Sequence, residues 1–270
     1  MQKKIISKIV KPTINQIAKY IPGESLIDGK RDIIKLSSNE SPFKIPTKVS
    51  AISQKLISKF NLYPDGDSNI LKKSLSKNFK INFSGIICGN GSDDILSLVA
   101  QAFSDENSEI ICSKYGFIYY PIVAKISGAK VLTAKTDGLK ISCKNILSLI
   151  TKKTKIIFFA NPNNPTGTVI LRNELIKFIS SVPKNIIIVI DGAYSEFVTN
   201  KNYSDGLDLV KKFPNIIVTK TFSKIYALAG LRLGWAYSSK SIIEILEKIR
   251  GPFNVNSIAQ NLGALILKEK

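Results

Sequence analysis

The feature that most constrains the fold is a repeated alternation of short apolar runs with longer amphipathic segments, which begins near residue 84. The runs are rich in β-branched residues and lie at 86–88, 109–112, 129–134, 155–160, 185–191, 215–220 and 233–238. Between them, residues 92–103 and 172–182 place apolar side chains on one helical face. Strands that are apolar throughout and separated by helices predict an α/β fold, with a mostly parallel sheet covered by helices on both faces.

The two ends of the chain differ from this central region. Residues 1–40 contain no clear strand pattern, and we interpret them as an N-terminal arm. Residues 41–245 form the predicted large domain, and residues 246–270 begin a further helical segment. The sequence shows no internal repeat and no low-complexity segment.

Composition excludes several classes of function. The chain has no histidine, which excludes Ser-His-Asp and Cys-His nucleophile systems and most zinc hydrolases, so no metal site is expected. Its three cysteines are odd in number and lack CxxC spacing, which indicates free thiols in a reducing cytoplasm. We find neither a secretory signal nor an uncharged apolar run of about 18 residues, and therefore expect no association with a membrane.

The formal net charge of +19 raises the alternative of nucleic-acid binding. The lysines, however, are scattered along the chain, and no RNP, KH or zinc-finger pattern accompanies them. Charge of this kind governs solubility and steering rather than fold. We therefore expect small-molecule partners and no nucleic acid.

A cluster of cationic and hydroxyl residues follows the run at 215–220. Lys224 stands close to Thr221, Ser223 and Arg232, and two hydroxyls with a permanent cation suit a phosphate dianion. Ligands of parallel sheets bind beyond the carboxyl ends of the strands, which is where this cluster falls. A lysine beside a bound phosphate suggests a cofactor that carries both a phosphate and an aldehyde. The alternative is a strand-end lysine that bonds a carbonyl.

Two further motifs fall at strand ends. The run 185–191 ends on Asp191, whose buried carboxylate would need a cation such as a protonated pyridine nitrogen, unless it merely caps the following turn. Tyr194 and Asn164, the latter within NPNNPTG, could then donate to an oxygen on the same ring. In GNGSDDI (89–95) a helix opens at Ser92, so its free N–H groups would face an anion, unless the aspartates satisfy them.

These motifs, in this order and spacing, resemble those of the fold-type I pyridoxal-phosphate aminotransferases. More narrowly, the chain is similar to the histidinol-phosphate aminotransferase family. The motifs that carry the narrower resemblance are YIPGES (20–25), LSSNESPF (36–43), YPDG (63–66), GNGSDDI (89–95), TKTFSKIYALAGLRLG (219–234) and RGPFNVNS (250–257).

The resemblance implies a role for each site residue. Lys224 would be the Schiff-base lysine and the general base, Asp191 would pair with the pyridine nitrogen, and Tyr194 would bond the ring oxygen together with Asn164. The other implied cofactor contacts are Ser92 and Asp93 through their backbone, Thr221, Ser223 and Arg232 at the phosphate, Phe117 stacked on the ring, and Tyr63 reaching the phosphate of the other subunit. Phe117 could instead be a core residue. The role of Tyr63 implies a homodimer.

The implied function is transamination between L-glutamate and imidazole-acetol phosphate in histidine biosynthesis. Alternatives of the same fold are an aromatic aminotransferase and a threonine-phosphate decarboxylase, and a regulator that uses the cofactor domain as a sensor is a rival from another class. No helix-turn-helix pattern supports the regulator.

The family continues into a small C-terminal domain where this sequence stops, which predicts that residues 246–270 begin a truncated small domain. The four arginines are Arg31, Arg172, Arg232 and Arg250, and none matches the one that binds the substrate carboxylate in this family. We therefore expect the 270 residues alone to hold cofactor weakly and to show little glutamate transamination.

Overall fold

The seven apolar runs form the seven strands of a single sheet, which confirms the predicted sheet. The structure is a computed structural model that describes residues 9–21 and 33–269. The strands are β1 (Ile86–Gly89), β2 (Glu109–Ser113), β3 (Lys130–Ala134), β4 (Thr154–Ala160), β5 (Ile187–Asp191), β6 (Ile216–Thr221) and β7 (Gly234–Tyr237). Their spatial order is β1-β7-β6-β5-β4-β2-β3. Strands β2 to β6 pair in parallel, and β7 runs antiparallel to both β1 and β6.

Helices cover both faces of the sheet. Among the described residues they are α1 (Thr47–Ile57), α2 (Asn69–Phe79), α3 (Ser92–Phe103), α4 (Tyr119–Ser127), α5 (Cys143–Ser148), α6 (Arg172–Ser181), α7 (Lys240–Ile249) and α8 (Ser257–Ile266). The predicted helices at 92–103 and 172–182 are confirmed as α3 and α6, although Ala102 and Phe103 are only half-buried.

The strands divide their side chains between two cores because successive residues of a strand point to opposite faces. Ile188, Ile190 and Val218 belong to one core, which contains the buried faces of α2, α6 and α8. Val189 and Ile217 belong to the other, together with α3, α4 and α7. Full burial of each aliphatic side chain stabilises the fold by about 1.5–3 kcal/mol, which explains why apolar residues predominate in the central strands.

The carboxyl ends of the parallel strands meet at one edge of the sheet. Ala160 at the end of β4 lies opposite Asp191 at the end of β5, and Asp191 lies opposite Thr219 in β6. Because β7 is antiparallel, its first residue, Gly234, lies at the same edge and pairs with Gly89 at the end of β1. The edge therefore gathers the segments that follow β1, β4, β5 and β6.

A close approach of two backbones brings α3 to this edge. A Cβ atom on Gly234 would lie 2.3 Å from the backbone nitrogen of Ser92, so only glycine fits there. Gly91, directly before α3, has a φ of 89°, a conformation that L side chains rarely adopt. The two glycines hold the N-terminus of α3 against the start of β7.

The terminal segments pack onto this framework. In the described parts of the predicted arm, a 3-10 turn forms at Ile14–Gln16, and Lys125 of α4 donates a hydrogen bond to the carbonyl of Gln16 at 3.0 Å. Helix α7 crosses the predicted boundary at residue 245, and α8 packs in the core that also buries α2. The domain boundaries therefore stay a prediction. Among the described residues, none of the helices combines the length and the apolar character needed to cross a membrane.

Candidate active site

A cavity of about 680 Å³ lies at the carboxyl edge of the sheet, and all of the predicted site residues except Tyr63 line it. The predicted residues that it brings together are Ser92, Asp93, Phe117, Asn164, Asp191, Tyr194, Thr221, Ser223, Lys224 and Arg232. Residues 37–40 of the predicted arm also contribute to its wall. Side chains from segments far apart in sequence therefore face one cavity.

Lys224 follows the end of β6 and is half-buried at the cavity. Its Nζ donates hydrogen bonds to the carbonyls of Ser38 and Asn39, both at 3.2 Å, and lies 5.5 Å from the ring centroid of Tyr194. Within the described part of the chain, no carboxylate lies within ion-pair distance of this ammonium group. The acceptors that hold the amine among these residues are therefore neutral.

Asp191, at the end of β5, presents the complementary situation. Its carboxylate is only 4% exposed and accepts hydrogen bonds from the Tyr120 hydroxyl at 2.9 Å and from the Ala193 backbone N–H at 3.1 Å. Burial raises the pKa of this carboxyl to about 6, and the charge of Asp93 acts in the same direction. Neither hydrogen-bond donor is charged, so a cation brought by a ligand would relieve the cost of burial.

An anion site is built where α3 begins. The residue before α3, Gly91, provides no side-chain cap, so the first backbone N–H groups of the helix remain available. Arg232 approaches the same place, with Nη1 3.4 Å from Ser223 Oγ and Nη2 3.3 Å from Asp93 Oδ2. The hydroxyls of Thr221 and Ser223, the guanidinium and the helix N-terminus form a donor set suited to a phosphate.

The ion pair between Arg232 and Asp93 was not predicted. The resemblance gives only the backbone of Asp93 a role, whereas its carboxylate contacts the guanidinium. Both side chains are nearly half exposed, at 46% and 44%, so such a pair stabilises the fold by no more than about 1 kcal/mol. A bound phosphate can therefore compete for Arg232.

The wall of the cavity contains three predicted ring contacts. Tyr194 accepts a hydrogen bond from Asn39 Nδ2 at 3.0 Å. The loop that carries Asn164 is held in place by Asn163, which exchanges backbone hydrogen bonds with Gly167 and Thr168, each 2.8 Å long. Phe117 is half-buried and lines the cavity, so it is not a fully buried core phenylalanine.

Tyr63 is not part of the cavity in this chain. Its ring is 82% exposed and stacks on Phe253, with the ring centroids 4.6 Å apart. A contact to the site of another subunit therefore stays a prediction.

The remaining described arginines form ion pairs elsewhere. Arg172 pairs with Asp208 at 2.5 Å, and Arg250 with Glu247 and Asp67. Arg31 lies outside the described residues. Among the arginines within the described ranges, Arg232 is the one that lines the cavity.

Three contacts were missed by the sequence reasoning. Tyr120 bonds Asp191, the arm carbonyls bond Lys224, and Lys220 on β6 is buried in a separate ionic cluster. An apolar helix face that includes a tyrosine is typical of a core, so no sequence pattern indicated a role for Tyr120. Backbone carbonyls of an arm carry no sequence signal at all.

Comparisons with known proteins agree on the family. The family described as aminotransferase class I and II matches residues 31–270. The histidinol-phosphate aminotransferase of Pelagibacter ubique is 46% identical over 255 residues, which are 94% of this chain and 71% of that protein. That of Paramagnetospirillum magneticum is 40% identical over 94% of this chain and 70% of its own length.

A solved structure agrees in fold. Histidinol-phosphate aminotransferase from Sinorhizobium meliloti, in complex with pyridoxal-5'-phosphate, superposes with a TM-score of 0.82 over 86% of this chain, at 23% identity. This chain spans 63% of that one, so it corresponds to somewhat less than two thirds of the solved protein. The sequence relatives and the matching family together show that the chain belongs to the class I and II aminotransferases and, within them, to the histidinol-phosphate aminotransferase family.

Proposed function

We propose that this protein transfers an amino group between L-glutamate and imidazole-acetol phosphate in histidine biosynthesis, with pyridoxal 5'-phosphate as cofactor. The observation that carries the proposal is that Lys224 and Asp191 line the same cavity. Among the described residues, the lysine has no anionic partner there and the carboxylate has no cationic partner, so both are available to a ligand. Relatives at 46% and 40% identity are histidinol-phosphate aminotransferases, which favours this reaction over the other reactions of the fold.

The residues present fit this cofactor. The buried Asp191 carboxylate lacks the cation that a protonated ring nitrogen would supply. The uncapped N-terminus of α3, with Ser92, and the Thr221, Ser223 and Arg232 side chains would hold its phosphate. In addition, Asn164 and Tyr194 would bond the ring oxygen, and Phe117 would lie against the ring. When bound, pyridoxal phosphate supplies an electron sink that weakens the Cα–H bond of the amino acid.

The two central residues then have separate tasks. Asp191 holds a positive charge on the ring nitrogen, and its buried position keeps water from weakening that interaction. Lys224 moves the proton at the substrate Cα as general base, a function that requires its Nζ to leave the Ser38 and Asn39 carbonyls. In the cofactor-free protein, these contacts with the arm hold the amine at the cavity.

We also propose a homodimer in which Tyr63 reaches the site of a second copy. Tyr63, Phe60, Leu62 and Phe253 form an exposed apolar patch, and each of the four is at least 43% exposed. Such a patch on a small protein is typical of an interaction surface. The proposed cytoplasmic location rests on the cysteines, since Cys88, Cys112 and Cys143 are all free, which is typical of a reducing compartment.

The substrate proposal is tested by half-reactions. L-Histidinol phosphate carries an amine and a phosphate but no carboxylate, so its half-reaction needs no carboxylate-binding arginine. Single-turnover absorbance of the cofactor-loaded protein should therefore change fastest with L-histidinol phosphate. L-Phenylalanine and O-phospho-L-threonine serve as comparison substrates. Faster conversion by either of these would overturn the substrate assignment while leaving the cofactor site intact.

A further inference from the structure

Tyr120 links an aromatic core to the carboxylate of the cavity. It is the second residue of α4, has no exposed surface, and donates from its hydroxyl to Asp191 Oδ2 at 2.9 Å. The bond joins residues 71 positions apart and is buried. Tyr120 therefore lies behind the cavity wall and bonds Asp191, the residue that faces the proposed ring nitrogen.

The ring of Tyr120 is fixed on two sides. It stacks on Phe158 at 5.5 Å with an interplanar angle of 8°, and its centroid lies 5.6 Å from that of Phe117, edge to face at 84°. Burial and the charge of Asp191 raise the pKa of the phenol well above its ordinary value, so it remains a hydrogen donor. The hydroxyl thus has a fixed position and a fixed direction of donation.

Two donors leave Asp191 part of its accepting capacity. An ionised carboxylate accepts about four hydrogen bonds, and here Oδ2 bonds Tyr120 while Oδ1 bonds the Ala193 N–H. Because each oxygen is fixed by one donor, the plane of the carboxylate cannot rotate freely. Asp191 also lines the cavity, so its carboxylate can accept a further hydrogen bond from a ligand there.

We propose that Tyr120 is a positioning residue. Its hydroxyl orients the Asp191 carboxylate toward the cofactor's ring nitrogen, and its phenol ring supports Phe117 against the face of the cofactor ring. The inference rests on the proposed function, since it needs a cofactor with a protonated ring nitrogen. One side chain would then align two of the groups that contact the ring.

The test compares two adjacent tyrosines of α4. Tyr120→Phe removes the hydroxyl that bonds Asp191, and Tyr119→Phe removes one that bonds Ser97 Oγ at 2.9 Å instead. The dissociation constant of pyridoxal phosphate should rise about tenfold in Tyr120→Phe, as expected for a hydrogen bond to a charged group. It should stay within about twofold of wild type in Tyr119→Phe, with thermal melting reporting whether each variant folds.

A double-mutant cycle with Asp191→Asn separates positioning from general packing. If Tyr120 acts through Asp191, Tyr120→Phe should weaken binding little further in the Asp191→Asn background. Equal, additive losses in both backgrounds would overturn the proposal and leave a packing role. If Asp191→Asn binds the cofactor as wild type does, the proposed role of Asp191 fails instead, so the two failures are distinguishable.

A spectroscopic readout complements the cycle. Without the Tyr120 hydroxyl, Asp191 would be less well aligned with the ring nitrogen, and the cofactor ring would carry less positive charge. A less positive ring would raise the proton affinity of the Lys224 nitrogen bonded to the cofactor. The pH midpoint of the bound cofactor's absorption band should therefore move upward in Tyr120→Phe. The other titratable groups that face Asp191 are Asp93 from α3 and Tyr203 from the loop after β5, with Tyr194 and Lys224 lining the same cavity. None of them changes in either tyrosine variant, and a midpoint equal to that of wild type would contradict the proposal.

Discussion

Two lysines four residues apart on one strand and its continuation have opposite environments. Lys220, in β6, has a side chain that is 3% exposed and pairs with Asp205 at 2.7 Å and Glu196 at 3.0 Å. Its Nζ also lies 5.4 Å above the ring of Phe79. Lys224, beyond the strand, is half-buried and bonds two backbone carbonyls.

The comparison shows that one of the two ammonium groups is neutralised by ion pairs within the fold, whereas the other can interact with a ligand. Lys220 points to the same face of the sheet as Val218, where its ammonium group is closed in by carboxylates. A buried ion that is paired in this way is costly to disrupt and has no freedom to react. In the cavity, by contrast, Lys224 and Asp191 each lack an oppositely charged partner among the described residues, and a ligand with complementary charges would satisfy both.

The largest expected effect comes from Lys224→Ala. We expect no borohydride-trapped adduct with pyridoxal phosphate and a loss of turnover of about 10⁴-fold or more, because the variant lacks both the amine and the general base. Lys220→Met is the matched control, and its folded fraction should keep the trapped adduct. An adduct that persisted in Lys224→Ala would contradict the assignment of Lys224 as the lysine that reacts with the cofactor.

Removal of the cavity carboxylate comes next. Asp191→Ala should still form the trapped adduct at Lys224 but turn over more slowly, by about 3–4 kcal/mol of transition-state stabilisation, the usual loss for a preorganised charge. Steady-state kinetics with L-histidinol phosphate measures this loss. A rate within about tenfold of wild type would favour the alternative in which Asp191 only caps the following turn.

The cluster around Lys220 should respond in stability rather than chemistry. Lys220→Met leaves Glu196 and Asp205 without their buried cation, so the free energy of unfolding should fall by about 3 kcal/mol. Urea denaturation measures this change, and the exposed Lys211→Met is the control, with less than about 0.5 kcal/mol expected. If the two variants were equally stable, the ion pairs of Lys220 would not stabilise the fold.

The sequence predicted the sheet because its strands are buried on both faces and therefore appear as continuous apolar runs. It also predicted that Asp191 and Lys224 would lie at the same edge, since one ends a parallel strand and the other follows one, and the carboxyl ends of these strands share an edge. These inferences need only local patterns and a general rule of topology.

The contacts that were not predicted depend on how distant segments dock. Tyr120 meets Asp191 only after α4 packs on the sheet, and the carbonyls of Ser38 and Asn39 reach Lys224 from 185 or more residues away. Both lysines in TKTFSK follow a hydroxyl residue in the sequence. Which of them is buried depends on the face of β6 and on Glu196 and Asp205 from another loop.

The smallest effect concerns the response of the cofactor-free protein to pH. Burial raises the pKa of Asp191 to about 6 from an ordinary 3.8, so the folded protein keeps a proton that the unfolded chain has lost in this window. The free energy of unfolding therefore falls as the pH rises from about 4 to about 6, and the loss, on the order of 2 kcal/mol, is fully present at pH 7.

Asp191→Asn has no proton to release, so its stability relative to wild type should increase by about 2 kcal/mol between pH 4 and pH 7. Urea denaturation of both cofactor-free proteins at several pH values measures this difference. Saturation of the wild type with pyridoxal phosphate should reduce its own pH dependence, because a cation then faces the carboxylate. A difference that stayed constant with pH would show that Asp191 ionises without penalty. The burial of the Asp191 carboxylate would then be offset by its neighbours as fully as that of Glu196 and Asp205 is by Lys220. The contrast between the two regions would fail.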